Sequence, residues 1–218
     1  MKHSSNASRR LAWVVGLASL SACGRPGPVS LANPQTAVTS DVYESLLDRW
    51  TRDFEVLDVG GGLESRLGVT ATYYSREFRH AYVARLGQMS TRSQEERGRM
   101  LAASLTAADE EHEFFVALVA QYPRWAELDR PTAAWRVRLI DDQGTEHEPL
   151  RIERSRTATA TERALFYYWT PWRAVFHLRF AAQTAAGQPV FRPGMRHFIL
   201  RFAGPYGTAD LRWDVRTP

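Results

Sequence analysis

The sequence predicts a mainly β domain of the α+β class, an immunoglobulin-like antiparallel β-sandwich with a helical insertion at about residues 75–110. Three observations predict it. Several segments alternate apolar and polar residues with the period of two that half-buried strands show. Turn residues, as at 141–144 and 204–207, separate about eight such segments, a spacing typical of sandwiches. Residues 75–110 instead show helical spacing of their apolar residues.

The first elements are a short helix and two strands. Ser40 is a suitable N-cap for an amphipathic helix over residues 41–50. Residues 52–58 and 63–74 then alternate as strands do. The three glycines at 60–62 predict a hairpin turn between them, because they lack the spacing of a phosphate-binding loop.

Two helices are predicted in the insertion. Ser75 is positioned to cap a helix over residues 76–87. Ser93 and Glu96 form a capping-box pattern that begins a second helix, which continues through Ala108. We expect both helices to pack on the sheet rather than to form a separate domain.

The remaining strands are predicted at 112–121, 134–140, 149–155, 175–180, 196–202 and 211–215. The first of these is a dense apolar run, which indicates a central strand buried on both faces. Residues 149–155 are expected to return beside 134–140, with Leu150 and Ile152 facing inward. Residues 156–163 have no pattern and are expected to form a loop.

The N-terminus has the pattern of an export signal. Arg9 and Arg10 precede the apolar run 11–20, which is too short to span a bilayer, since spanning takes about 20 residues. The sequence Leu-Ser-Ala-Cys at 20–23 follows, and it resembles the lipobox of bacterial lipoproteins. That resemblance implies removal of the preceding residues and acylation of Cys23, and therefore a lipid anchor in a membrane. Gly24 follows where an aspartate commonly retains lipoproteins at the inner membrane, so we expect the outer membrane, facing the periplasm.

Three regions are predicted: a signal peptide over 1–22, a flexible tether over 23–40 and a single domain over 41–218. The tether is rich in proline, glycine and small polar residues, and we expect it to hold the domain off the membrane. Without residues 1–22 the 218-residue chain has 196 residues, enough for a substantial core. Cys23 is the only cysteine, so no intramolecular disulfide supports that core.

The charge of the chain gives no reason to expect nucleic acid as a partner. Lys2, Arg9 and Arg10 belong to the predicted signal peptide, and the remainder has 25 basic and 24 acidic residues. All 25 are arginines. A GC-rich genome accounts for this usage, and recognition of phosphate or carboxylate is the alternative.

No catalytic residue, metal ligand or cofactor is predicted. The chain has no Gly-x-Ser-x-Gly motif, and His112 lies among glutamates without a second histidine at helical spacing, so we interpret it as part of a polar strand edge. His177 and His197 are the exception we consider. They could face each other across paired strands, but two histidines make an incomplete zinc site.

Two groups of side chains are candidate ligand or partner surfaces. The aromatic run at 166–172 contains Tyr167, Tyr168, Trp169 and Trp172, which we expect to pack at the core or a sheet edge; a sugar-stacking or partner-binding patch is the alternative. The second group consists of arginines on the polar faces of strands: Arg136, Arg138, Arg151, Arg179, Arg201 and Arg212. We expect cross-strand pairing with acidic residues, whereas unpaired arginines on one sheet would form a basic face.

The body of the chain resembles uncharacterised predicted lipoproteins of Gram-negative bacteria. The shared residues are Ala71-Thr72, Ser75 with Phe78-Arg79, and the run His112-Glu-Phe-Phe115. This resemblance implies no activity. We therefore expect an anchored, non-catalytic module that binds an envelope protein partner or acts as a scaffold. The alternatives are a binder of anionic envelope glycan or lipid through an arginine-rich sheet face, and an envelope hydrolase.

Overall fold

A computed structural model of the chain describes residues 26–34, 39–58, 64–155 and 160–216. Within these residues, nine strands form two antiparallel sheets. The predicted signal peptide and Cys23 lie outside the described residues.

The larger sheet has five strands and the smaller one has four. The strands of the larger sheet, from edge to edge, are β1 (Thr51–Asp58), β2 (Glu64–Tyr73), β3 (Glu111–Ala120), β7 (Ala174–Ala181) and β6 (Arg151–Ser155). Those of the smaller sheet are β5 (Glu146–His147), β4 (Arg136–Ile140), β8 (His197–Gly204) and β9 (Gly207–Asp214).

Four α-helices accompany the sheets in the described part of the chain: α1 (Tyr43–Trp50), α2 (Arg76–Met89), α3 (Gln94–Glu110) and α4 (Ala160–Leu165). Short 3-10 helices span Ser40–Val42 and Pro123–Ala126. The predicted caps of α2 and α3 are present, because Ser75 accepts a hydrogen bond from the Phe78 amide and Ser93 forms a capping box with Glu96. Ser40 does not cap α1; it begins the 3-10 helix that leads into it. None of the described helices has the length and apolar character needed to cross a bilayer.

The core between the two sheets follows from the period-two alternation. Phe198 of β8 and Trp213 of β9 stack with ring centroids 5.1 Å apart, and Phe114 of β3 packs against Trp213 at 5.6 Å. Phe115 points to the other face of the larger sheet, where it stacks on Phe166 at 4.0 Å. The predicted burial of the central strand on both faces is therefore confirmed.

Helices cover the outer face of the larger sheet and create a second core there. Tyr43 of α1 donates a hydrogen bond to the Leu165 carbonyl of α4 at 2.8 Å, and Phe78 of α2 packs against Tyr43 and Phe166. The class is α+β with mostly antiparallel sheets, as predicted. The helical layer is larger than the predicted insertion, because α1 and α4 also belong to it.

The strand after the 141–144 turn differs from the prediction. On the edge away from β8, β4 pairs only with the two residues of β5, and Arg151–Ser155 instead pairs with β7 of the larger sheet. Pro149 lies between the two segments, and since proline has no N–H it cannot continue the ladder. Leu150 is 56% exposed, so its predicted inward position is wrong. Of the predicted loop at 156–163, residues 160–163 are instead helical as part of α4, and residues 156–159 lie outside the described residues.

The region predicted as a tether contacts the domain at Val29. The Val29 amide donates to the Asp214 carbonyl at 2.8 Å, and the Arg216 amide donates to the Val29 carbonyl at 2.7 Å. Val29 is only 1% exposed and forms a parallel bridge with Val215. The folded domain thus includes residues before position 41, and a tether extending through residue 40 does not describe this segment.

Candidate functional site

The arginines predicted as a possible basic face are divided between the two sheets. Arg136, Arg138 and Arg201 lie on strands of the smaller sheet, whereas Arg179 lies on β7 of the larger one. Three of these arginines pair with carboxylates. Arg138 contacts Glu148 at 2.6 Å, and Arg201 donates two hydrogen bonds of 2.7 Å to Asp210. Arg179 lies within 4 Å of three glutamates. Arg136 is exposed. The expected pairing with acidic residues is confirmed for these three, and the strands that carry the six arginines belong to two sheets rather than to one.

The aromatic run at 166–172 is divided between core and surface. Tyr168 is buried and its hydroxyl lies 2.6 Å from Thr72 Oγ1, while Trp169 packs partly against the core. Their predicted packing role is confirmed. Tyr167 is 66% exposed and Trp172 is 85% exposed, which leaves two large aromatic rings on the surface of the loop that leads into β7.

A groove lined by four arginines lies beside this loop. It has a volume of about 470 Å³, and its walls combine Trp169, Thr170 and Pro171 with the arginines 130, 154, 163 and 173, without an acidic side chain. We call it the arginine groove. Arg130 and Arg154 both lie near Glu127, at 3.8 and 3.9 Å, so one carboxylate faces two guanidinium groups.

Little in the amino-acid sequence indicates this groove. Its arginines come from the loop before β4, the edge strand β6, helix α4 and the loop just before β7, and no single periodic pattern includes them. Proximity to the aromatic run was the one available signal, since Arg163 and Arg173 flank it in the chain.

A larger pocket of about 650 Å³ lies where the end of β2, the start of β3 and the loop before β8 meet. Its apolar wall includes Tyr73, Phe191, Met195 and Val215, and Leu31 of the N-terminal segment completes it. Mostly apolar pockets of this size suit small ligands. We call it the His112 pocket, because His112 is its one imidazole-bearing wall residue.

His112 is buried rather than part of a polar edge. It is 8% exposed, its ring stacks on Phe191 at 3.8 Å, and its Nδ1 lies 3.1 Å from the Tyr73 hydroxyl. Nε2 has no hydrogen-bond partner among the described residues. The period-two alternation of β3 is the sequence signal that could have indicated the burial of His112, because His112, Phe114 and Val116 share one face of the strand.

Burial keeps both polar groups of this pair uncharged. It lowers the pKa of His112 to about 3, and the nearby charges of His147 and Arg79 add to the effect. Burial also raises the pKa of Tyr73 well above its ordinary value. Tyr73 can therefore donate to Nδ1, which leaves an N–H on Nε2. A histidine with so low a pKa is a weak base near neutral pH, so the arrangement favours hydrogen bonding over proton transfer.

Three arginines lie at the pocket, and two of them are paired. Arg76 contacts Asp109, and Arg192 contacts Asp142 at 2.9 Å and Asp141 at 3.6 Å. Arg216 forms no ion pair with the described residues. It is the guanidinium group most available to an acidic group on a ligand that occupies the apolar wall.

A separate polar cluster lies on the helix-covered face of the larger sheet. Glu113 Oε1 lies 3.2 Å from His177 Nδ1, and Glu113 Oε2 accepts from Arg79 at 3.1 Å. His177 and His197 belong to different sheets, so the predicted approach across paired strands does not occur. Among the residues that the structure describes, no three histidine, cysteine, aspartate or glutamate side chains are grouped so as to hold a metal ion.

Comparisons with known proteins add no function. No protein-family profile matches the chain, and no curated protein matches it. One solved structure, a novel protein of unknown function from Burkholderia pseudomallei, is 15% identical over 84% of this chain and 93% of its own, with a TM-score of 0.38.

Proposed function

We propose that the protein is a cell-envelope lipoprotein, anchored through acylated Cys23 in the outer membrane on its periplasmic side, whose domain is a non-catalytic binding module. The lipobox-like sequence at residues 20–23 supports the anchor. The His112 pocket supports the binding role, and it is the observation that carries the proposal.

The ligand class follows from the pocket lining. The wall formed by Phe191, Met195 and Val215 suits an apolar body, and Arg216 suits one acidic group at its end. We propose a small amphipathic acid as the ligand. His112 supplies a neutral hydrogen-bonding wall rather than a catalytic base, which favours binding over hydrolysis.

Two alanines on α3 allow a matched test of the pocket. Ala108 lines it, whereas Ala107 is exposed one residue earlier. We expect a dansyl-labelled fatty acid to bind the mature protein, and A108W to raise its Kd at least about tenfold, a loss of about 1.4 kcal/mol. A107W should bind like the native protein. Equal affinities for all three proteins, or no binding to the native one, would reject the pocket as the binding site.

The anchor is tested by replacing Cys23 with serine. We expect the native protein to take up labelled palmitate and to fractionate with the outer membrane, and the C23S variant to do neither. A native protein that takes up no label, or a variant that stays bound to the membrane, contradicts the anchor.

We further propose that the two-sheet core is a sandwich of the immunoglobulin-like type. The facing antiparallel sheets and their shared core of alternating apolar residues support this assignment. An experimental structure of the domain, compared strand by strand with immunoglobulin topology, tests it.

A further inference from the structure

The distance between the proposed anchor and the folded domain is short. Pro26 is the first described residue, and three residues of extended chain reach at most about 10 Å from it to Cys23. Val29 is fixed to the end of β9. An acylated Cys23 therefore holds this part of the domain at the membrane surface instead of at a distance from it.

The exposed aromatic loop lies toward the same part of the surface. Asp48 of α1 lines a hollow together with Pro26. Asp48 also lies beside Tyr167: burial raises the pKa of the Tyr167 hydroxyl, and the neighbouring carboxylates of Asp48 and Asp53 raise it further. Asp48 thus lies close both to Pro26, where the described part of the chain begins, and to Tyr167.

The side chains of this loop suit the interface between lipid and water. Trp172 and Tyr167 present large exposed rings, and amphipathic aromatic rings concentrate at the headgroup level of membranes. Trp172 is the one strongly exposed tryptophan among the described residues.

The arginine groove adds a chemical preference for the lipid. Its lining contains four guanidinium-bearing residues and no carboxylate, and it begins at Trp169, three residues from Trp172. Guanidinium groups bind phosphate oxygens through paired hydrogen bonds. Arg130 and Arg154 are both exposed, and each approaches Glu127 no closer than 3.8 Å.

We propose that Tyr167, Trp172 and the arginine groove form a membrane-docking surface, with the rings entering the interface and the groove binding phosphates of anionic lipid headgroups. The proposal rests on the acylation of Cys23, because the short connection brings this surface to the bilayer. It assigns the basic character to residues 130, 154, 163 and 173 rather than to the arginines on the polar faces of the strands.

The test uses the mature acylated protein on vesicles of brominated phosphatidylcholine with and without phosphatidylglycerol. Bromine quenches tryptophans that enter the bilayer. We expect the tryptophan fluorescence of the native protein to be quenched, and more strongly when the vesicles contain phosphatidylglycerol. This quenching should be lost in W172F. The R130Q/R154Q double variant should lose the dependence on phosphatidylglycerol. R136Q/R212Q removes two exposed arginines from the smaller sheet and serves as the charge-matched control.

Flotation of the same vesicles distinguishes a failure of the proposed lipid anchor from a failure of the proposed docking surface. Native protein that floats without quenching dependent on Trp172 keeps the anchor and overturns the docking surface. Native protein that does not float overturns both. Quenching that depends on Trp172 but not on phosphatidylglycerol or on the groove arginines overturns the role of the groove.

A second experiment measures vesicle binding by protein that lacks the lipid anchor. Unacylated C23S protein should bind phosphatidylglycerol vesicles weakly, and R130Q/R154Q in that background should reduce the partition coefficient at least about tenfold, since each arginine near an anionic membrane surface adds to the attraction. Equal partitioning of this variant and its R136Q/R212Q counterpart contradicts the proposal.

Discussion

Arg79 of helix α2 donates a hydrogen bond from Nη2 to Glu113 Oε2 of strand β3 at 3.1 Å, and both side chains are largely withdrawn from solvent. Arg79 also binds the Tyr74 carbonyl and Ser104 Oγ, so one guanidinium group joins α2, α3 and the larger sheet. The Arg79–Glu113 pair is therefore a buried polar link between the helical layer and the larger sheet.

Replacing Glu113 with glutamine should destabilise the fold. The change removes a charge opposite buried Arg79, and breaking a buried pair from one side costs about 3–5 kcal/mol. Urea unfolding at pH 7 measures the loss. Glu153 on β6 provides the control, because it is half exposed and lies 3.9 Å from Arg179. E153Q should change the free energy of unfolding by less than about 1 kcal/mol, and equal losses in the two variants would contradict the role of the buried pair.

Glu113 should also make stability fall in acid. Burial raises the pKa of Glu113, but the hydrogen bond with His177 and the charges of Arg79, His177 and Arg179 outweigh it and hold the pKa at about 2, below the ordinary 4.5. The carboxylate is thus easier to protonate in the unfolded chain. Its contribution, about 3 kcal/mol, is complete above pH 4.5 and is lost as the pH falls toward 2. Urea unfolding across this range should show the decline in the native protein and a weaker one in E113Q.

His112 should make the stability of the fold depend on pH in a range above the one in which Glu113 acts. Its folded pKa of about 3 lies below the ordinary 6.5, so protons bind the unfolded chain first as the pH falls. Stability should decrease by up to about 1.4 kcal/mol per pH unit below pH 6.5. The H112F variant should remove this slope between pH 6.5 and 4.5, whereas H80Q, a change of a less buried histidine, should keep most of it. An unchanged slope in H112F would show that His112 is not the titrating group.

Val29 should contribute to the stability of the domain although it lies in the predicted tether. V29A removes two buried methyl groups, and we expect a loss of roughly 2 kcal/mol. V119A trims a partly exposed valine of β3 and should cost less than about 0.5 kcal/mol. Thermal unfolding of the native protein and of both variants compares the two. Slow hydrogen exchange at the Val29 amide, which bonds the Asp214 carbonyl, would independently show that the segment is docked; equal unfolding temperatures and rapid exchange would show the opposite.

Two glycines should respond oppositely to alanine. A Cβ at Gly204, at the end of β8, would lie 2.5 Å from the Ala134 carbonyl oxygen, so the backbone would have to move. We expect G204A to destabilise by about 1–3 kcal/mol. A Cβ at Gly98 in α3 meets nothing within 4 Å, and G98A should stabilise by up to about 1 kcal/mol through helix propensity. Chemical denaturation measures both, and destabilisation by G98A would contradict the open surroundings of that position.

The parts of the fold that could be predicted depend on local pattern. The capping box at Ser93 and the alternation around Phe114 specify their elements within a few residues, so these were accessible from sequence. The pairing of Arg151–Ser155 with β7 was not, because strand patterns define a face but not a partner. The apolar character of Leu150 suggested an inward position, yet this residue follows a proline that takes the chain out of the ladder.

The candidate sites were less accessible. The aromatic run was visible as a composition anomaly, but the sequence could not separate exposed Trp172 from buried Tyr168. The groove arginines come from four separate segments of the chain, and only the tertiary fold brings them together. The interpretation of His112 as part of a polar edge is wrong, because its glutamate neighbours carry the polar signal while its own side chain lies on the same face of the strand as Phe114.

The bridge between Val29 and Val215 links positions 186 residues apart. In a chain synthesised from its N-terminus, the hydrogen bonds of Val29 cannot form until almost the whole sequence is present. Completion of the fold therefore depends on both ends of the described chain, and loss of the residues that follow Asp214 would release the segment around Val29 as well.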